Sequence, residues 1–226
     1  MKMIPTFLFC AALVSASSVR AAAPEGRFVV VVGAVTTELA GSSHAVASGA
    51  TFQPGAVVRT MAGATAVIAL ADGSRIKLRE SSRLQLVPLE PRSRVTEVML
   101  FLGGVFAEVK KRAVGAEFRV RTPGAVAAVR GTQFFTAFGR THGKARDLWV
   151  CVNEGLVQVG TTSSRKSLDV PAGKGVLIKG EKDLTNPKAY DWTKKLNWNM
   201  DAASGSVEDK TNLDAAYSDL LDQDYR

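Results

Sequence analysis

Histidine and cysteine are nearly absent from this 226-residue chain, which has two of each. Zinc sites need Cys and His at close spacing, yet there is no C-x-x-C and no H-E-x-x-H. An Asp-rich calcium loop is missing as well, and Asp72-Gly73-Ser74 resembles only a fragment of one. A hydrolytic triad needs a base held against a nucleophile and oriented by a third group. Ser43 stands beside His44 without a G-x-S-x-G elbow, and both His44 and His142 sit in polar surroundings that predict solvated loops. The glycine pairs follow strand-like runs but do not lead into helices, which argues against phosphate-cradling loops. No catalytic, cofactor or metal site is expected, and the chain reads as a non-enzyme.

Long apolar runs are also scarce. The run from Ile4 to Val14 is shorter than the 18 or so residues of a membrane span. Lys2 precedes it and small residues follow to Ala23, the layout of a secretory signal peptide covering residues 1–21. Cleavage after Ala21 places Val19 and Ala21 at the small-residue positions; cutting after Ala23 would set Pro24 just beyond the bond. Cys10 follows Phe9 inside the apolar run, so it is no lipidation site. Its removal leaves only Cys151, which excludes an intramolecular disulfide. Within LWVCVNEG, Cys151 is predicted to be a small buried hydrophobe. The expected location is periplasmic or secreted.

What remains is dominated by β signals from Arg27 to Lys179. Thr65 to Leu70 and Arg75 to Leu78 flank Asp72-Gly73, a hairpin signal. Further short runs recur at Val95 to Phe101, Val105 to Val109, Glu117 to Arg121, Leu148 to Val152 and Leu156 to Val159. Glycine corners and the lack of a long helical period predict an all-β fold for residues 27–180. Residues 181–226 form a C-terminal acidic extension with a helix predicted over 207–221, capped by Ser206 and carrying Leu213, Tyr217, Leu220 and Leu221 on one face. Charge divides at the same place. Residues 22–180 carry 21 Lys and Arg against 11 Asp and Glu, a net +10, whereas residues 181–226 carry 6 against 10, a net −4.

Alternation gives the basic strands a side. In Arg75-Ile76-Lys77-Leu78-Arg79 the three cations face away from the two apolar residues, and Arg83 and Arg119/Arg121 repeat the pattern around Leu84 and Phe118/Val120. Stacked together, these strands predict a basic face able to recruit an anionic partner, either an envelope protein or an anionic glycan such as peptidoglycan. Without a partner, the same cations would keep exposed strands soluble. Nucleic acid is disfavoured, because export removes the chain from it and the stripes lack interleaved aromatics.

One segment identifies a family. RVRTPGAVAAVRGTQF, Arg119 to Phe134, joins two strand-like halves at a Thr-Pro-Gly corner. Its Thr122, Pro123, Val129, Arg130, Gly131, Thr132 and Phe134 resemble the core signature of the FecR domain family. Other landmarks follow the family's order: Pro54-Gly55, the block Ala69 to Leu78, Gly103 to Phe106, Val152 to Val157 and Val170 to Gly173. The resemblance covers roughly residues 28–179 and implies a compact β-helix-like stack of short, largely antiparallel strands. The residues themselves read as structural. Gly124 supplies the freedom of a turn, Arg130 is expected to bond backbone carbonyls or Glu154, Gly131 marks a close backbone approach, and Phe134 belongs to the core.

The resemblance implies an interaction, scaffold or signal-sensing module. The family's iron-transport regulators place a sigma-factor-binding segment and a transmembrane helix before this domain, and neither is expected here. A rival reading is an envelope polysaccharide-binding protein, with Trp192 and Trp198 as a stacking surface. It requires those rings to be exposed; packed against the β-core they would be a structural clasp.

Overall fold

Apolar and polar residues alternate through most of the chain, and the backbone follows that period into strands. The structure, a computed structural model, describes residues 26–88, 93–111, 114–142, 145–164 and 166–222; the expected signal peptide lies outside them. The fold is all-β. Its strands are β1 (Gly26–Val32), β2 (Val35–Leu39), β3 (Ser42–Ala45), β4 (Thr51–Phe52), β5 (Val57–Thr60), β6 (Thr65–Leu70), β7 (Arg75–Leu78), β8 (Arg83–Leu86) and β9 (Val95–Glu108). They continue as β10 (Glu117–Arg121), β11 (Ala125–Val129), β12 (Gln133–His142), β13 (Ala145–Glu154), β14 (Leu156–Thr161), β15 (Ser167–Pro171), β16 (Lys174–Lys179), β17 (Asp183–Leu184) and β18 (Lys188–Ala189).

The pairings define two sheets. Sheet A runs β4-β1-β6-β7-β9-β12-β13-β16, with β17 and β18 both pairing to β16. Sheet B runs β3-β2-β5-β8-β9-β10-β11-β14-β15. Every pairing is antiparallel except β9 with β10. The inner faces meet in one core, where Ile68, Ile76, Leu78, Val105 and Phe134 of sheet A join Val58, Leu84, Val98, Phe118 and Val157 of sheet B. Burying each such side chain stabilises the fold by about 1.5–3 kcal/mol, which is why the alternation fixes which way each strand faces.

β9 belongs to both sheets. Its first part pairs with β8 and β10, and from Gly103 onward it pairs with β7 and β12. The sequence predicts two strands separated at Gly103-Gly104; the structure instead carries one strand across the glycines. Gly103 has φ +91°, and a Cβ there would lie 2.2 Å from Ser82 Oγ. Ser82 Oγ accepts a hydrogen bond from Gly104 N at 3.0 Å, fixing the crossing. Other landmarks are passages of the same kind: Pro54-Gly55, Arg130-Gly131, Gly155 and Ala172-Gly173 each carry the chain from one sheet to the other, whereas the Ala69 to Leu78 block is a hairpin within sheet A.

The extension after Gly180 adds β17 and β18, then α1 (Trp192–Lys195), a 3-10 turn (Ala202–Ser204) and α2 (Leu213–Asp222). The helix therefore begins six residues later than expected, and its cap is Asn212 rather than Ser206. Asn212 Oδ1 accepts from the amides of Asp214 (3.0 Å) and Ala215 (3.1 Å). Residues 207–212 do not join the helix; Asp209 and Thr211 there accept bonds from Arg79 through their carbonyls. Among the described residues no helix is long and apolar enough to cross a membrane.

Candidate functional site

Sheet A has a second apolar surface on its outer side, and the C-terminal extension covers it. Val67, Phe106, Phe135, Trp149, Cys151 and Leu177 of the sheet pack with Tyr190, Leu196, Met200, Val207, Ala216 and Tyr217. Aromatic edges lock the layers. Trp149 meets Tyr190 at 5.5 Å and Tyr217 at 5.7 Å, and Trp198 stands edge-on to Phe106 at 5.2 Å. The Trp198 indole donates to Thr193 O, and that of Trp192 to Asp219. Both tryptophans are part of the clasp, so the stacking surface of the glycan reading is taken up by the protein's own packing. Of the expected helix face, Leu213 and Tyr217 pack here; the side chains of Leu220 and Leu221 lie outside the described ones. Cys151 is buried as expected, and burial pushes its thiol up to about 12 despite a hydrogen bond with Thr193.

This covering decides the fate of three predicted site residues. Arg75, Lys77 and Arg79 do share the outer side of sheet A, opposite Ile76 and Leu78, but only Arg75 is left uncovered in part. Lys77 is completely buried. Its Nζ donates to the carbonyls of Asn197 (2.5 Å) and Asn199 (2.8 Å) and lies 4.2 Å from the Phe106 ring centroid. Burial lowers its pKa to about 8, with Asp209 opposing the shift. Arg79 pairs with the Asp209 carboxylate at 3.0 Å and donates to the carbonyls of Asp209 and Thr211. The sequence places these two cations on a solvent face; instead they hold the extension in place. Alternation gives a side chain's direction and is silent about what covers it.

Arg83, Arg119 and Arg121 lie on the outer side of sheet B, over which no described segment packs as the extension does on sheet A. The basic face is therefore split between two sheets. Arg119 pairs with Glu117 at 2.6 Å and Arg121 with Glu97 at 3.4 Å, so both are neutralised on the spot. Arg83 has no ion pair among the described residues; its guanidinium lies 5.0 Å from the Phe101 ring centroid. Two further arginines that sequence reasoning missed stand nearby. Arg59 directly opposes Arg83 in register, and Arg146 donates to Phe101 O at 3.3 Å. The Val58/Arg59 alternation carried the signal for the first; nothing local marked the second.

The signature residues build corners. Thr122 closes the turn, its amide bonding Ala125 O at 2.8 Å while its Oγ accepts from Ala125 N at 3.1 Å. Pro123 is exposed at the tip. Gly124 does not adopt positive φ; it is needed because a Cβ would fall 2.3 Å from Glu181 Cβ. Arg130 is exposed and makes no bond to Glu154 or any other described residue, where a fork bonded to backbone carbonyls or Glu154 was expected. Gly131 does mark a close approach, with φ +142° and Lys111 Cα 3.0 Å from a would-be Cβ. The Thr132 backbone pairs with Val109, and Phe134 is fully buried. His44 lies on the exposed edge strand β3 and His142 ends β12, strands where loops were expected. Among the described residues no three His, Cys, Asp or Glu side chains cluster to hold a metal ion.

A family model described as "FecR protein" matches residues 56–172. A search of curated proteins returns no match. Two crystal structures of a "putative anti-sigma factor" from Parabacteroides distasonis ATCC 8503, at 1.65 and 2.50 Å, are similar at 23% identity and a TM-score of 0.49. The similarity covers 61% of this chain and 62% of that protein, so this chain spans less than two thirds of its length.

Proposed function

The chain belongs to the FecR family, whose model covers more than half of it, and on that premise we propose that it is a non-catalytic interaction and signal-sensing module of the cell envelope, docking an envelope protein through the outer side of sheet B. The observation that carries this reading is the asymmetry of the two sheets. The outer side of sheet A is filled by the protein's own extension, whereas sheet B presents Arg59, Arg83, Phe101 and Leu102. The export signal read at residues 1–21 supports a periplasmic or secreted site of action. An anionic glycan is the less favoured ligand, because Trp192 and Trp198 are committed to the clasp.

Photocrosslinking tests the reading. A photoreactive residue at Met99 or Gln158, both on sheet B, should capture a discrete envelope protein identifiable by mass spectrometry. The same residue at Ser218, on the exposed side of α2, should not. Capture confined to Ser218, or no capture at any position, would overturn the assignment of sheet B.

A further inference from the structure

Where sheet B reaches the end of the sandwich, a groove of about 560 Å³ opens between Arg59, Arg83, Arg146, Met61, Phe101 and Leu102. Among the described residues, the charged ones lining it are all arginines and no acidic side chain lines it. This differs from the rest of the sheet, where Arg119 and Arg121 have carboxylate partners. Arg59 and Arg83 sit directly opposite one another on β5 and β8. Opposed positions bring Cβ atoms to about 4.5–5.5 Å, and like charges there destabilise a sheet unless an anion lies between them. The Nε–H of Arg83 is buried with no hydrogen-bond partner among the described residues, and such a donor costs free energy until it is bonded. Beside the cations stand apolar side chains with no cover: Met61 is 40% exposed and Leu102 42%.

We propose that this groove is the anchor point of the docking face and takes an acidic polypeptide segment, carboxylates engaging Arg59, Arg83 and Arg146 while an apolar side chain covers Met61 and Leu102. The inference rests on the reading of sheet B as the docking face and names the chemistry of its partner. A carboxylate matches the planar fork of a guanidinium, two bonds at a time. The apolar rim favours a peptide over a polysaccharide, whose hydroxyl-rich edges would leave Met61 and Leu102 unmatched. Arg83 is steadied by the Phe101 ring beneath it and Arg146 by the Phe101 carbonyl, so the cationic set is organised before a ligand arrives.

The test uses the mature chain and a fluorescein-labelled peptide, Gly-Glu-Leu-Glu-Leu-Glu-Gly, titrated by anisotropy. Binding should fall about tenfold or more in the Gln-for-Glu peptide, and by a similar factor in Arg83→Gln and in Arg59→Gln, since a charge-assisted bond contributes about that much. Arg75→Gln, on the other sheet, should bind like wild type. Arg59 is exposed, so its variant remains informative if Arg83→Gln folds poorly. Equal binding of the two peptides, indifference to both arginine substitutions, or displacement by an oligogalacturonate that binds more tightly with the same arginine dependence would each overturn the proposal. If peptide binding fails while photocrosslinks at Met99 and Gln158 persist, the groove inference falls and sheet B keeps its docking role. If those crosslinks are absent too, the docking role falls with it.

Discussion

Replacing Tyr217 with alanine tests whether the extension and the β-sandwich are one cooperative unit. The ring is 4% exposed, 5.7 Å from Trp149, with the Arg140 guanidinium 5.0 Å from its centroid. Truncating a buried aromatic costs about 3–5 kcal/mol. Tyr217 also lines a groove of about 780 Å³, so water can enter the vacated space, and the lower end, about 3 kcal/mol, is expected. For a protein of this size that is roughly a 6–12 °C fall in thermal midpoint. Circular dichroism follows the strands, while tryptophan fluorescence follows Trp149 in the sheet and Trp192 and Trp198 in the clasp. Both probes should report one transition, lowered together. An unchanged midpoint, or an early loss of the fluorescence signal while the strands melt as in wild type, would refute the reasoning, because the clasp would then be an independent appendage. An isolated helix as short as α2 is marginal in water, so a detached extension would lose it.

Three further outcomes follow from single sites. Gly131→Val combines backbone strain at φ +142° with a Cβ 3.0 Å from Lys111 Cα and should cost about 3 kcal/mol in urea denaturation; Gly173→Ala, with nothing within 4 Å, should cost only the strain, about 1–2 kcal/mol. Lys77 is held at about 8 in the folded state against its ordinary 10.5, so between those values the unfolded chain binds more protons and stability from this group rises with pH. Comparing wild type with Lys77→Met across pH 8–10.5 isolates that slope from the opposing titrations of Cys151 and Tyr217, and a difference that does not change with pH would contradict it. Intact-mass analysis of chain recovered from the periplasm or medium should show loss of residues 1–21, and recovery of unprocessed chain in the cytosol would reject the export reading.

The strands and the family were legible because both are local. Alternation put Ile76, Leu84 and Phe118 in the core, and Asp72-Gly73 closed its hairpin, with Ser74 N bonding Asp72 Oδ1 at 2.8 Å. Most of the landmarks mark places where the chain changes sheet, while the Ala69 to Leu78 block and the Thr122-Pro123 corner turn the chain within one sheet. What was not legible depended on contacts across large sequence separations. Lys77 looked solvent-facing because the carbonyls that bury it come from Asn197 and Asn199. The delayed start of α2 has the same origin, since Arg79 competes for the backbone of Asp209 and Thr211. Arg146 reaches the groove from a strand of the other sheet, a meeting that no periodicity encodes.

Opposite net charges on the two segments invite the idea that the acidic extension is held on the basic core by bulk electrostatics. The ion pair of Arg79 with Asp209, which joins the two, is however nearly dry. Lys77 and Arg79 otherwise grip backbone carbonyls, the Arg140 guanidinium lies against the Tyr217 ring, and the remainder is apolar and aromatic packing. Salt screens exposed charges over about 10 Å at 0.1 M but leaves buried pairs and apolar contacts largely untouched. The groove on sheet B is the reverse case, its arginines having no carboxylate partner among the described residues and Arg59 and Arg146 standing exposed. Raising salt should therefore weaken the acidic peptide steeply while leaving the fluorescence of the clasp and the thermal midpoint nearly constant. A clasp that opened in parallel with loss of the peptide would mean that both faces rely on the same long-range field, and the division of labour between the two sheets would fail.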